Sequence, residues 1–292
     1  MPARAGGWTA DRDGTVRPVP GAEVRAVTKA GVILRAFGPL APSLTVRQLA
    51  DRTAMPRSTV HALCATLCEA GLLERLGGGG FRLGPALVEL GGQVIERTGL
   101  VQAAEGVLGE LVRTARTEAH LGQLVGGWVV YLDRTPAPRG TRMDNRVGLR
   151  AAAHRTGCGK AGLSRLASRQ EVERRVRDAC REEARPLPDL DRLHAELAAI
   201  RAAGYAVSDT FQPGRTSVAA PVLGADGQPA GAVSVAGPSA AFTTAVLRRM
   251  VRDVTAAAAR IEARLTGAAG TTPRRAAAAD GAAVPRPRRL DG

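Results

Sequence analysis

The segment Thr45–Leu83 constrains what this chain can fold into more than any other. Thr45 is an N-cap candidate for a short helix through Val46, Leu49 and Ala50. Met55-Pro56 marks a tight turn. A further helix follows, with Pro56 or Arg57 in its first turn and Val60, Leu63, Cys64 and Leu67 at helical spacing on one face. Gly71 supplies the stop. Two short strands, 72–76 and 81–83, then flank Gly77-Gly78-Gly79-Gly80. Helix, turn, helix and glycine-tipped hairpin make a winged helix-turn-helix pattern.

A helix that enters the DNA major groove must be apolar on its back and show short polar or basic side chains at its N-terminal end. Arg57, Ser58, Thr59 and His61 occupy that end. Arginine pairs with guanine or phosphate, while serine and threonine hydroxyls and the helix N-terminus suit phosphate oxygens. Arg47 on the preceding helix, with Arg75 and Arg82 flanking the wing, completes the expected DNA-binding set. Four bare glycines predict a wing tip that contributes little. The alternative reading is a helical hairpin making only protein contacts, in a small-molecule sensor or an enzyme.

Net charge alone does not choose between them. The chain carries 41 basic and 27 acidic residues, a formal charge of +14. That suits a nucleic-acid partner, but the excess is spread out and only Lys29 and Lys160 are lysine. The motif has to decide. At 292 residues the chain has room for about two domains of roughly 100–200 residues each. A hydrophobic fraction of 45% excludes a wholly disordered chain, and 3% aromatics puts the cores on Leu, Val and Ala. Four cysteines are too few for a disulfide scaffold. No run approaches ~18 apolar residues, and the start MPARAGGWTADRDGTVRP has no apolar signal region. The expectation is a cytoplasmic protein with reduced cysteines and no membrane partner.

The expected organisation has five parts. Residues 1–22 read as a disordered leader, and 267–292, low in complexity with five Arg, as a disordered tail. Residues 23–84 form the winged helix-turn-helix domain. Its first helix places Val24, Val27, Ile33, Leu34 and Phe37 on one face and stops at Gly38-Pro39 and Pro42. Residues 85–98 read as a linker helix. Residues 99–266 read as a helix at about 100–116, strands 120–124 and 128–132, and helices near 158–167, 169–184 and 189–203. Strands 217–223 and 230–236 follow, joined by the hairpin signal Asp226-Gly227. A long helix at about 242–265 closes the domain. Hairpins flanked by helices predict an antiparallel α+β sandwich.

TVRQLADRTAMPRSTVHALCATLCEAGLLERL, followed by FRLGPALVELG, resembles the DNA-binding half of the IclR family of bacterial transcriptional regulators. VGLRAAAHRTGCGKAGLSRL resembles the loop-and-helix signature of that family's effector domain, and AAIRAAGYAVSD and TSVAAPVLGADGQPAGAVSVAGP resemble its later strands, so the likeness runs over about 23–265. It implies a C-terminal GAF-like α/β effector-binding domain and a homodimer or tetramer. It also implies control of a nearby operon through a double-stranded DNA operator, with repression the expected sign. It departs at Ala62, where the family usually has Arg, and at Thr210, where an acid is common and Asp209 is the nearest carboxylate.

The resemblance also implies an effector site made of backbone amides at Gly157 and Cys158 with side chains at Ser208 or Asp209, Ser217 and Ser234. Ala236, at a further matching place, cannot donate. A physical argument reaches the same loop. Thr156–Lys160 precedes a predicted helix, whose free amides attract anions, and its glycines let a ligand approach. A small carboxylate or aromatic acid is therefore expected between the sheet and the loop around His154–Lys160.

The remaining cysteines and histidines suggest no catalytic residue, metal or cofactor. His61, Cys64 and Cys68 have metal-like spacing, but zinc wants about four ligands and no fourth stands out, so packing is expected. Cys158 near His154 lacks a third orienting group for nucleophilic catalysis. Cys180 is expected in a helix core, and His120 and His194 are expected to be structural or exposed.

Overall fold

The computed structural model describes residues 8–10, 16–18, 24–38, 41–137 and 147–269. The chain divides into two compact units, Met1–Arg97 and Thr98–Gly292.

In the first unit, β1 (Trp8–Ala10) pairs antiparallel with β2 (Val16–Pro18). This corrects the expectation of a disordered leader for those residues. The two strands carry the β-formers Trp8, Thr9 and Val16 and flank Asp13-Gly14, a hairpin signal like the one at 226–227. The rest of the leader lies outside the described residues, as does Pro39. Next come α1 (Arg25–Arg35), β3 (Leu44–Thr45), α2 (Val46–Thr53) and α3 (Arg57–Glu69). The unit ends with β4 (Leu73–Arg75), β5 (Gly80–Leu83) and α4 (Ala86–Glu96).

Local chemistry sets these boundaries. Thr45 Oγ1 accepts the Gln48 N–H at 3.3 Å, and Gln48 Oε1 accepts the Thr45 N–H at 2.9 Å. This reciprocal box fixes the start of α2. Ala54, left-handed at φ 53°, begins the three-residue turn to α3. Gly71, at φ 68°, turns the chain out of α3. Ile33, Leu49, Val60, Cys64, Leu67 and Phe81 then share one core, with β5 lying between β3 and β4. Val24 and Val27, expected on the packed face of α1, are exposed. The packed residues of that helix, Ala30, Ile33 and Leu34, all lie in its C-terminal half.

The second unit is built on a six-stranded sheet in the order β8-β7-β6-β11-β10-β9, with every neighbouring pair antiparallel. The strands are β6 (Glu118–Val125), β7 (Trp128–Thr135), β8 (Arg150–Ala152), β9 (Ala206–Ser208), β10 (Arg215–Leu223) and β11 (Pro229–Pro238). On one face, α5 (Gly99–Ala104), α6 (Val107–Ala115) and α10 (Thr244–Ala269) bury Leu121, Val218, Val222, Val233 and Val235. On the other, α7 (Gly157–Leu163), α8 (Arg169–Glu182) and α9 (Leu190–Ala203) pack on Val129, Tyr131, Ala219 and Ala232.

Three expectations change here. The single helix at 100–116 is two, broken where Gly106 takes φ 73°. β8 was not foreseen, and β9 only through the likeness of AAIRAAGYAVSD to a later strand of the family: each has three residues, too few to show a period, and each exists by pairing with β7 or β10. The last helix continues through Gly267 to Ala269, so the expected tail begins as helix, and 270–292 lie outside the described residues. Among the described residues, no helix is long and apolar enough to cross a membrane.

Candidate nucleic-acid interface and ligand site

The N-terminal turn of α3 is open. Arg57, Ser58 and His61 are exposed and Thr59 is half-buried, while Val60, Cys64 and Leu67 on the opposite side are in the core. Burial pushes the Cys64 thiol up to about 11, so it stays neutral as a packing group. Arg47, in the first turn of α2, is also exposed. The wing arginines are already engaged. Arg82 pairs with Glu74, and the Arg75 guanidinium lies 5.2 Å from the centre of the Phe81 ring. The wing tip closes as a tight turn, with the Gly79 N–H donating to Leu76 O at 3.0 Å.

In the second unit the predicted ligand residues separate into two groups. Gly157, Cys158, Ser208, Ser217 and Ser234 come together between α7 and the sheet. A Cβ on Gly157 would stand 2.8 Å from Ser217 Oγ and 3.3 Å from Ala219 Cβ, so only glycine lets α7 lie this close to β10. Ser217 Oγ donates to Ser208 O at 3.2 Å. Thr156 caps α7, its Oγ1 accepting the Gly159 N–H at 3.0 Å. Burial pushes the Cys158 thiol up to about 11, against a hydrogen bond with Ser234. His154 and Asp209 do not join this group. His154 lines a cavity with Arg155 and Lys160, and Asp209 is exposed beyond the end of β9.

The structure adds residues that the sequence reading passed over. His120 lies opposite Ser234 on β11 and opposite Arg134 on β7. It is 1% exposed, and among the described residues neither ring nitrogen has a hydrogen-bond partner. Its ring meets Tyr131 edge-on at 5.7 Å. Burial, and then the Arg134 charge, lowers its pKa to about 3, so the imidazole is neutral. Arg134 Nη2 donates to Glu118 Oε2 at 2.7 Å in a pair almost out of solvent. Arg215 is buried two positions before Ser217 on β10. The only advance signal was alternation: Glu118, His120 and Arg134, like Arg215 and Ser217, hold same-face positions of strands otherwise rich in Val and Ala.

The comparisons with known proteins agree with this architecture. The family model for the IclR helix-turn-helix domain matches residues 26–77, and the model for the bacterial transcriptional regulator IclR C-terminal domain matches 92–263. The HTH-type transcriptional regulator BhcR of Paracoccus denitrificans is 32% identical over 259 residues, covering 87% of this chain and 89% of its own. The regulator KipR of Bacillus subtilis is 28% identical over 227 residues, covering 77% and 90%. A crystal structure of an IclR homolog from Microbacterium hydrocarbonoxydans, complexed with 4-hydroxybenzoate, superposes with a TM-score of 0.66 at 25% identity over 82% of this chain and 98% of that one. With both halves matched in order and a relative above 30% identity across most of its length, the chain belongs to the IclR family of bacterial transcriptional regulators.

Proposed function

We propose that this regulator reads its operator with the first turn of α3 and represses transcription as a homodimer or tetramer. In this reading, a small organic acid bound on the α7 face of the sheet changes operator affinity. Arg57, Ser58, Thr59 and His61 supply the groove contacts, and Arg47, Arg75 and Arg82 contact the backbone. One winged helix covers only a half-site, so two copies are needed for a palindromic operator. The second copy has a surface to use. α4 has no buried residue, and its Val88 and Val94 are 77% and 66% exposed.

The effector half rests on His120. A buried polar group without a partner is expensive, about 1–3 kcal/mol, and calls for an explanation. A bound molecule that hydrogen-bonds the neutral ring supplies one. Arg134 and Arg215 against Glu118 make the same end of the sheet cationic, which suits a carboxylate. The 4-hydroxybenzoate in the Microbacterium hydrocarbonoxydans homolog has this chemistry and is the first compound to test.

The test is retardation of a fragment from the protein's own promoter region at fixed salt. Arg57→Ala should weaken specific binding by about 1–3 kcal/mol, roughly 5–150-fold, and unchanged affinity overturns the α3 assignment. An effector that favours one DNA-binding arrangement should shift retardation by a similar factor. Ser234→Leu should abolish that shift while leaving ligand-free retardation intact.

A further inference from the structure

The outer side of α7, turned away from the sheet, borders the cavity that His154 lines, of about 490 Å³. Small-molecule sites are typically about 300–1,000 Å³. Arg155, Lys160, Arg185 and Arg192 line it, together with an apolar wall formed by Leu187 and Leu193. Four permanent cations therefore converge from three places: the turn before α7, α7 itself, and the start of α9 with the loop leading into it.

The acidic groups present do not use up this charge. Lys160 is buried, and its Nζ donates to Glu196 Oε1 at 2.7 Å. Glu183 serves two guanidinium groups at once, at 3.2 Å from Arg185 and 3.8 Å from Arg155, and its Oε2 has no hydrogen bond from either. Asp189 caps α9, its Oδ1 accepting the Arg192 N–H at 3.0 Å, and keeps its charge, so Asp189, Glu183 and Glu196 set three carboxylates against the four cations. Among the described residues, the Arg192 guanidinium enters no ion pair. Each guanidinium carries five N–H donors in a planar fork that fits carboxylate or phosphate oxygens bidentately. Three forks thus keep donors to spare around one space. The positive end of the α9 dipole adds to them.

His154, in the same lining, senses this field. Its pKa is lowered to about 4, first by burial and then by the charges of Arg155, Lys160 and Arg185. A neutral ring there adds no charge of its own to the balance.

We propose that this cavity is a second ligand site, apart from the sheet-side effector site, and takes an organic oxyanion carrying two or more negative charges. Two charges can engage spare donors on forks from opposite walls, whereas a single carboxylate reaches one wall. The apolar wall suits the carbon skeleton of such a molecule. The site shares the turn Ala153–Arg155 with the sheet side, because Arg155 O accepts from Thr210 Oγ1 at 2.9 Å and from Ser208 Oγ at 3.3 Å.

The experiment uses the full chain, with thermal unfolding and calorimetry against inorganic pyrophosphate, citrate and acetate. Sodium chloride at equal ionic strength is the reference. Pyrophosphate or citrate should bind saturably and raise Tm by about 3 °C or more near saturation, with acetate no better than chloride. Response to pyrophosphate alone identifies a phosphate-bearing molecule as the ligand type, and response to citrate alone identifies a polycarboxylate. Arg185→Gln with Arg192→Gln should weaken binding at least about tenfold, while Ser234→Ala, which adds no bulk beside α7, leaves it unchanged. Arg192→Gln alone carries the test if the double variant is unstable in chloride, since Arg192 is exposed and makes no ion pair. The proposal is overturned if the multivalent anions act only as chloride does, if acetate binds equally well, or if the arginine variants keep full affinity. Loss of binding in Ser234→Ala with retention in the arginine variants would place the anion on the sheet side and overturn it as well. These outcomes do not depend on the sheet-side effector reading, which is tested through operator retardation.

Discussion

The two faces of the six-stranded sheet are made from alternate residues of the same strands, yet they differ in kind. The face toward α6 and α10 carries Leu121, Val218, Val222, Val233 and Val235, closed by Leu108, Val254 and Ile261. The face toward α7 carries Ala219 and Ala232 among Glu118, His120, Arg215 and Ser234, all of them buried. The first face is an apolar core whose packing stabilises the unit. The second has small residues that admit α7 and polar groups that packing alone does not account for. Buried polarity confined to one face of a sheet is a marker of function that needs no alignment to see.

Adjacent residues sharpen this comparison most. Leu121 and His120 are neighbours pointing to opposite faces, and both are essentially inaccessible. Leu121→Ala should destabilise by about 2–5 kcal/mol, because it removes apolar burial and leaves a cavity. His120→Leu should leave stability unchanged or raised, because it replaces two unpartnered nitrogens with apolar atoms of similar volume. Chemical denaturation with matched m-values measures both. A large loss in His120→Leu would show that the ring is a structural element, and the contrast between faces would fail.

Acid tests the same residue in the wild-type chain. The folded pKa values of His120 and His154 are lowered from 6.5 to about 3 and about 4. The unfolded chain therefore binds protons that the folded chain refuses. The stability these groups contribute is fully present above pH 6.5 and is lost as pH falls below it. Each histidine adds a slope of about 1.4 kcal/mol per pH unit. Measured between pH 6.5 and 5, above the ordinary carboxylate range, the slope should fall by about half in His120→Leu. An equal slope in the variant would show that His120 is charged or solvated in the folded protein.

Much of the fold was legible because its signals are local. The Thr45 cap, the turn before Arg57, Gly71 and Asp226-Gly227 each act within a few residues, and each lies at an element boundary. β8 was not legible, and β9 only through the family likeness, since a three-residue strand is selected by its partner and not by its own pattern. Val24 and Val27 misled for a related reason: an apolar period shows which face of a helix can be covered, not how far along it the cover extends. The sheet-side group was partly legible. Gly157, Cys158, Ser208, Ser217 and Ser234 followed from the likeness to the family, whereas His120 required knowing which strand lies beside β11. That pairing, β6 with β11, joins residues more than a hundred positions apart.

Gly157→Ala probes how closely the polar face is packed. The added methyl meets Ser217 Oγ at 2.8 Å and Ala219 Cβ at 3.3 Å. Ser217 can rotate away only by giving up its bond to Ser208 O, while Ala219 is fixed by its strand. Overpacking of this kind costs about 1–3 kcal/mol, offset by up to about 1 kcal/mol from alanine's better helix propensity. A net loss of about 1 kcal/mol is expected in denaturant unfolding. No loss, or a gain, would show that α7 has room to move off the sheet.

Ser217→Ala should have the smallest effect on stability. The side chain is half-buried, and its one hydrogen bond to protein, to Ser208 O at 3.2 Å, joins two strands already paired through their backbones. Removing a hydroxyl of this kind costs about 0.5–1.5 kcal/mol, and alanine refills most of the space without a clash. The carbonyl left behind keeps the acceptor capacity that its strand pairing requires. The variant thus separates the two uses of the polar face. If Ser217 serves packing alone, stability and effector response should fall together by small amounts. If it serves a ligand, unfolding in the absence of effector should stay within about 1 kcal/mol of wild type while the effector-induced shift in operator retardation falls several-fold. Parallel denaturation and retardation on the one variant read both quantities, and an unchanged effector response would remove Ser217 from the site.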